Sequence, residues 1–492
     1  MLFNSIEYFF FFPLVCFIYF ILPIKGRWIF LLASSYFFYG YWKPEYLLLI
    51  IFSSIIDYIA AINIEKSENK TNKKIWLYTS LISNLGLLFT FKYFGFLNTI
   101  ISDTLQIFDY KYTPPIVELL LPVGISFYTF QTLSYTIDVY KNELKAERNF
   151  IKFALFVSFF PQLVAGPIER AKHLLPQFDK TFSFNPERTI DGLLLIFWGL
   201  FKKVVIADSL AIIVNKSFNQ PLESGSLDLL IAAYAFTFQI YCDFSGYSNI
   251  AIGSARVLGY DIMENFNSPY VAKSISVFWS RWHISLSTWF RDYVYIPLGG
   301  NRKGKLNQFR NIFAVFFLSG LWHGANYTYI VWGIYHGVLL MIENLFSELK
   351  KRLNINLKYA FLKSFLGIIS IVFTFHFVVI GWIFFRADSL KNAYLIILKC
   401  YFAFSEILHQ GVLKLGFLIM QSVLFVSYKP ETLQVRNVLP YFIAIMLASE
   451  FYFKKIKVQK FYFIKLFIIS ILIVLMFVFG NTVGEQFIYF QF

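Results

Sequence analysis

Apolar residues in this 492-residue chain come in long unbroken runs separated by short polar breaks. A helix needs roughly 20 predominantly apolar residues to cross a bilayer. Runs of about that order recur at 7–24, 27–42, 46–64, 75–98, 116–139, 150–165, 190–214, 227–251, 309–322, 326–346, 361–385, 391–427, 436–453 and 461–480. Some are short enough to be re-entrant, so the pattern predicts roughly 11–14 membrane segments. The runs are continuous rather than alternating, which argues against an outer-membrane barrel. Helices satisfy their own backbone hydrogen bonds in lipid, so the expected fold is an all-α polytopic membrane protein.

The polar breaks alternate in charge. Lys25 and Arg27 follow the first run; four lysines and two glutamates occupy 65–74; Lys141, Lys145, Arg148 and Lys152 mark another basic break. Between the last two lies the loop around 99–115 with Asp103 and Asp109. Basic loops stay in the cytoplasm, which places the N-terminus outside. By the same rule the loop with Lys454, Lys455, Lys457 and Lys460 is cytoplasmic, and the tail 481–492 emerges outside. The stretch 266–310 breaks the pattern, with Arg281, His283, Arg291 and Asp292 set among tryptophans and phenylalanines. It reads as an interfacial or re-entrant segment, as the wall of a polar cavity, or as both.

Composition sharpens this picture. Hydrophobic residues make up 58% of the chain and aromatic residues 21%, while charged residues reach only 15%, against about 25% in soluble domains. The excess is spread along the whole length, which excludes a soluble globular protein, a disordered chain and a single-anchor protein. The net charge of +15 is accounted for by cytoplasmic loops, so no nucleic-acid partner is expected. Cys16, Cys242 and Cys400 stand singly in apolar surroundings and read as structural thiols. The first residues lack a basic region and a cleavage site, and read as a retained span.

Ionisable residues inside apolar runs are the candidates for chemistry. His323 lies in Gly320-Leu-Trp-His-Gly-Ala and His336 in Gly333-Ile-Tyr-His-Gly337, each followed by a glycine that admits close approach. Imidazole titrates near neutrality and can take and return a proton. Helix packing by the same residues is the plainer alternative. His376, deep in an apolar run, reads as a neutral core histidine bonded to another helix. His173, in a polar loop or amphipathic turn, and His409, in a loop, read as solvated surface residues. Asp243, in Tyr241-Cys-Asp-Phe-Ser-Gly-Tyr-Ser248, needs a partner if buried, and Arg256, Arg281 and Arg291 are its candidates. There is no G-x-S-x-G elbow, P-loop, G-x-G-x-x-G, H-E-x-x-H or paired-cysteine motif, and no metal site is expected.

Several blocks carry a resemblance. Phe278-Trp-Ser-Arg-Trp-His-Ile-Ser-Leu-Ser-Thr-Trp-Phe-Arg-Asp-Tyr-Val-Tyr-Ile-Pro-Leu-Gly-Gly300 resembles the signature of the bacterial membrane-bound O-acyltransferases (MBOAT), in the branch of alginate O-acetyltransferase membrane subunits. The two histidine–glycine blocks, Gln162-Leu-Val-Ala-Gly-Pro-Ile-Glu-Arg170, Asp243-Phe-Ser-Gly-Tyr-Ser248 and Gly381-Trp-Ile-Phe-Phe-Arg-Ala-Asp388 follow in the family's pattern. Asn249 departs from it, standing where relatives usually carry aspartate. The resemblance implies one transmembrane domain over 1–480, with a signature core at about 116–388, folded as a bundle around a central funnel with re-entrant or interfacial helices. It implies an active-site histidine at His323 and a second signature histidine, His283, near the acyl-donor path.

The tail Phe487-Ile-Tyr-Phe-Gln-Phe492 is similar to an acyl-relay motif of envelope-acylating systems, which makes Tyr489 the candidate acyl carrier. Because the motif ends this chain itself, acetyl transfer is favoured over D-alanylation. The implied donor is a cytoplasmic acyl thioester, most simply acetyl-CoA, with no permanently bound cofactor. The implied partner is an extracytoplasmic acetyltransferase that passes acetyl to an envelope polysaccharide such as alginate or peptidoglycan, from a multi-pass protein of the bacterial inner membrane. Two readings compete: an exporter or flippase of an envelope polymer, and a non-catalytic scaffold of an acetylation complex.

Overall fold

In a computed structural model, the described residues are 1–112, 121–164, 166–353, 359–410, 439–449, 462–481 and 487–488. Every regular element among them is helical. In chain order they are α1 (Ile6–Ile21), α2 (Ile24–Gly40), α3 (Leu47–Lys66), α4 (Lys70–Leu88), α5 (Phe94–Ile107) and α6 (Ile125–Tyr140). There follow α7 (Phe150–Ser158), α8 (Phe160–Leu163), α9 (Ala171–Phe178), α10 (Pro186–Leu200), α11 (Asp208–Phe218) and α12 (Ser226–Val257). Then come α13 (Ile275–Trp279), α14 (Ile284–Phe290), α15 (Lys305–His323), α16 (Tyr327–Arg352), α17 (Ala360–Arg386) and α18 (Leu390–Gln410), with further helices at Leu439–Ser449 and Tyr462–Phe479.

Several of the helices begin at a polar cap. Ser5, Asn69, Asn149, Ser274 and Asn326 each accept a hydrogen bond from a backbone N–H in the first turn of the following helix. Among the described residues, six helical stretches are long and apolar enough to cross a membrane: Pro44–Lys66, Lys70–Ile107, Ser226–Val257, Tyr327–Arg352, Phe361–Arg386 and Tyr462–Phe479. Ile6–Ile21, Phe150–Leu163 and Leu439–Ser449 are shorter apolar helices. Large side chains such as Phe9, Phe17, Phe463 and Phe477 are more than half exposed, as acyl chains would permit and water would not. This is a multi-pass membrane protein.

Two runs hold a feature that hydropathy does not mark. A π-helical turn, Phe89–Tyr93, joins α4 to α5, and another, Phe201–Ala207, joins α10 to α11. Such turns expose backbone groups and shift the helix face, and they recur at functional positions.

The chain packs as two units, Met1–Ile196 with Tyr247–Glu264, and Phe197–Gly246 with Asn265–Phe492. In the first, α3, α4 and α6 pack against one another around a polar cluster. Asp57, fully buried, accepts from Ser80 Oγ, from Asn84 Nδ2 at 3.1 and 3.0 Å and from Thr136 Oγ1 at 3.3 Å. Tyr8 Oη lies 2.6 Å from Ser254 Oγ, tying α1 to the end of α12. Gly192 and Gly253 let α10 and α12 touch: a Cβ on Gly253 would lie 2.5 Å from the Gly192 carbonyl oxygen.

In the second unit α15 and α16 form an antiparallel hairpin, with α17 against α16. The anomalous stretch 266–310 folds into α13, α14 and a π-helical turn at Arg291–Tyr295, all too short to span a membrane. Trp282 and His283 are 1% exposed, while the Arg291 side chain is 60% exposed and paired with Asp292 at 2.8 Å. The segment is thus amphipathic, and its aromatic side is part of the unit's core.

Candidate active site

His323 is the last residue of α15. The helix stops there because Gly324 turns fully extended, and a side chain on Gly324 would strike the Tyr329 ring. Asn326 then caps α16. His323 is 3% exposed, with its ring 4.9 Å from Trp322, 4.9 Å from Trp332 and 5.3 Å from Phe385, centroid to centroid. One helical turn beyond Trp332 on α16 is His336, fully buried and 5.0 Å from Trp279. Gly381 of α17 makes room for it: a Cβ there would lie 2.5 Å from His336 Nε2.

Neither ring nitrogen of His336, nor the indole N–H of Trp279, Trp332 or Trp382, finds a hydrogen-bond partner among the described residues. Buried polar groups are ordinarily satisfied. A cluster left open beside His323 has hydrogen-bonding capacity for water or for a bound polar group.

His283 caps α14 in the left-handed conformation, φ 43°. A non-glycine residue holds that geometry only when its surroundings impose it. Here the Asn265 carbonyl accepts from Ile284 N at 2.9 Å, and Asn265 Oδ1 accepts from Ser285 Oγ at 2.6 Å. The His283 ring stands edge-on to Phe244 at 4.7 Å and to Trp322 at 5.9 Å. His283 and His323 therefore share one neighbour, Trp322, although 40 residues separate them in sequence.

Asp243 corrects an expectation. Its partner is none of the three arginines but Lys203, whose Nζ lies 2.8 Å from Asp243 Oδ1 and 2.7 Å from Asp208 Oδ1, all but sealed from solvent. Arg256 instead faces Asp261, and Arg281 reaches the Ser268 carbonyl. The approach of α12 to the π-helical turn carrying Lys203 depends on Gly246, where a Cβ would lie 2.7 Å from the Gly199 carbonyl oxygen. The neighbouring Lys202 is also buried, 5.4 Å from the Tyr241 ring and 3.3 Å from Ser245 Oγ. The signal for this site was in the sequence: two adjacent lysines inside an apolar run must find partners.

Tyr489 lies outside the described residues. The two residues before it are core: Phe487 is fully buried with its ring 6.0 Å from Phe244, and Ile488 N donates to Asp243 Oδ2 at 2.7 Å. Phe244 thus touches both Phe487 and His283.

The remaining histidines differ only in part from their sequence readings. His173 is exposed on α9, as read, with its Nδ1 2.8 Å from Oε2 of the fully buried Glu169. That pairing raises its pKa above the ordinary value. His409 sits in the last turn of α18 rather than in a loop. His376 bonds to the Val372 carbonyl of its own helix at 2.7 Å rather than to another helix. Among the described residues no group of three His, Cys, Asp or Glu side chains could hold a metal ion.

A buried histidine, His323, thus shares the Trp322 ring with a second, strained histidine, His283, in a multi-pass membrane protein. The model of the membrane-bound O-acyltransferase family matches residues 37–387, and the chain belongs to that family. It is 40% identical to the probable alginate O-acetylase AlgI of Pseudomonas aeruginosa, over 80% of this chain and 73% of that protein. It is 36% identical to the peptidoglycan O-acetyltransferase of Helicobacter pylori, over 80% of this chain and 78% of that one. To the teichoic acid D-alanyltransferase of Bacillus subtilis it is 32% identical, over 61% of this chain and 79% of that one. It is an acyltransferase, and its substrate is an acyl donor.

Proposed function

We propose that the chain takes acetyl groups from a cytoplasmic thioester, acetyl-CoA, and delivers them across the cytoplasmic membrane for O-acetylation of a cell-envelope polysaccharide. The acceptor class is an alginate-like exopolysaccharide or peptidoglycan, reached through an extracytoplasmic acetyltransferase partner. Acetyl rather than D-alanyl is supported by the identities: 40% and 36% over 80% of the chain with the two O-acetylating relatives, against 32% over 61% with the D-alanyl one.

The step assigned to this chain is a transesterification. His323 accepts the proton of the Tyr489 hydroxyl, whose ordinary pKa near ~10 makes it a poor nucleophile unaided. The phenolic oxygen attacks the thioester carbonyl, the carbon–sulfur bond breaks, and the CoA thiolate leaves with the proton returned by the imidazolium. The product is an aryl ester on Tyr489, reactive enough for an acceptor hydroxyl on the partner's side to displace. His283 lies on the donor side and fixes the thioester. The aromatic layer keeps water from the ester. The observation that carries this reading is the run of ring contacts Phe487–Phe244–His283–Trp322–His323, which joins the start of the tail motif to both histidines.

The test uses the chain in membranes with radiolabelled acetyl-CoA, comparing wild type, His323→Ala and Tyr489→Phe. Label on the wild-type chain alone supports the relay. Label lost only in His323→Ala keeps the enzyme and removes Tyr489 from it. Label retained in His323→Ala overturns the assignment of the base.

A further inference from the structure

The buried triad Lys203–Asp208–Asp243 has no place in the chemistry just described. Its geometry nevertheless points outward from itself. Lys203 Nζ takes one oxygen from each carboxylate, at 2.7 Å on Asp208 and 2.8 Å on Asp243. The other oxygen of Asp243 accepts the backbone N–H of Ile488, 245 residues away in sequence, at 2.7 Å. A chain end ordinarily frays unless something ties it down. Here Phe487 is 0% exposed and Ile488 3% exposed, and the tie is a charge-assisted hydrogen bond, the stronger kind.

We infer that Asp243, oriented by Lys203, is a dock for the chain's own C-terminal segment and positions Tyr489 for acylation. The parts fit that role. Lys203 sits on the π-helical turn Phe201–Ala207, where the lateral bulge turns a side chain toward α12. Gly246, one helical turn past Cys242 on α12, has no side chain to hold the two elements apart. Asp243 is followed by Phe244, whose ring meets Phe487 on one side and His283 on the other. One turn of α12 therefore grips the residue before Tyr489 by its backbone and places Phe487 one ring from the signature histidine. Because the grip is on a main-chain N–H, it fixes the course of the chain at Ile488 whatever side chain stands there. Asp243 and Lys203 are positioning residues in this scheme. The inference rests on the reading of Tyr489 as the acyl carrier, but the docking itself can be measured without it.

The experiment is hydrogen–deuterium exchange of the C-terminal peptide in the full-length protein in nanodiscs, run beside the acetyl-labelling assay on the same preparations. Five chains are compared: wild type, Asp243→Asn, Asp243→Leu, Ile488→Pro and Tyr489→Phe. Asparagine keeps an oxygen for Ile488 N–H while its N–H₂ faces Lys203 Nζ, and it is expected to keep most of the protection and labelling that Asp243→Leu loses. Asp243→Leu removes the acceptor but leaves Lys203 paired with Asp208. It is expected to speed exchange at 487–488 by about tenfold or more and to lower the rate of labelling with the KM for acetyl-CoA unchanged. Ile488→Pro deletes the donor without touching the triad. It is expected to give the same loss of labelling, which keeps the test sound if Asp243→Leu fails to fold. Wild-type exchange as fast as in Asp243→Leu overturns the dock. So does a loss of labelling in Asp243→Asn equal to that in Asp243→Leu, since that makes the charge rather than the acceptor decisive. Protection in wild type together with unchanged labelling in Tyr489→Phe leaves the dock standing and removes the relay, so the two failures are distinguishable.

Discussion

Asp57 and Asp243 are both buried carboxylates on long apolar helices, one in each unit, and they are satisfied in opposite ways. Asp57 is held by hydroxyl and amide donors of Ser80, Asn84 and Thr136, all neutral, on the two helices packed beside it. The cluster is closed: Ser53 in turn donates to Asn84, and every member belongs to the same three helices. Asp243 is held by a cation, shares it with Asp208, and spends its second oxygen on the far end of the chain. A closed neutral network does no more than specify how three helices pack. An ionic network that reaches a distant segment gives that segment a fixed place. The histidine layer extends the contrast, since its members include buried nitrogens that no described residue satisfies.

The largest effect tests the layer. His323→Ala is expected to lower acetyl transfer by about 10²–10⁴-fold, read as the initial rate of label incorporation, with thermal stability in detergent little changed. An equal loss of stability would make His323 a packing residue and erase the contrast. Next comes the ionic network. Lys203→Met leaves two carboxylates buried without their shared cation and is expected to destabilise the fold by about 3–5 kcal/mol, measured as a lowered unfolding midpoint. Asp57→Asn keeps shape but sets an amide N–H₂ against donors, and should cost about 1–3 kcal/mol without altering the kinetics of the remaining folded enzyme. If the asparagine variant is instead inactive at full stability, the closed cluster is functional after all.

The smallest effect concerns His173. Hydrogen bonding to Glu169 raises its pKa from the ordinary 6.5, so the folded state binds the proton more tightly than the unfolded one. The resulting stabilisation is fully present below pH 6.5 and is lost as pH rises through the raised value. The difference in melting temperature between wild type and His173→Phe should therefore be widest in mild acid and shrink toward alkaline pH. A gap that widens with pH would reverse the sign and rule out the pair.

Much of the architecture was legible beforehand. Apolar runs such as 46–64, 227–251 and 361–385 overlap α3, α12 and α17 closely, because length and hydropathy decide which segments suit a bilayer. Glycines at 246, 320, 333 and 381 could be read as close approaches, yet only the structure says to what: a carbonyl for the first, His336 for the last. The partner of Asp243, Lys203, is not among the three arginines that the sequence suggests. A lysine on a π-helical turn has no periodic signature, since the turn arises from packing that hydropathy does not record.

The sequence alone determined that this is a helical multi-pass membrane protein with histidines in glycine-flanked aromatic blocks, because hydrophobic length and residue chemistry are local properties. Only the tertiary structure decided that His283 and His323 share Trp322, that Lys203 lies between Asp208 and Asp243, and that Ile488 ends against Asp243. Apart from the local pair Lys203–Asp208, those are contacts between segments far apart in the chain. Which segments meet is set by how whole helices pack, and no window of sequence contains that information.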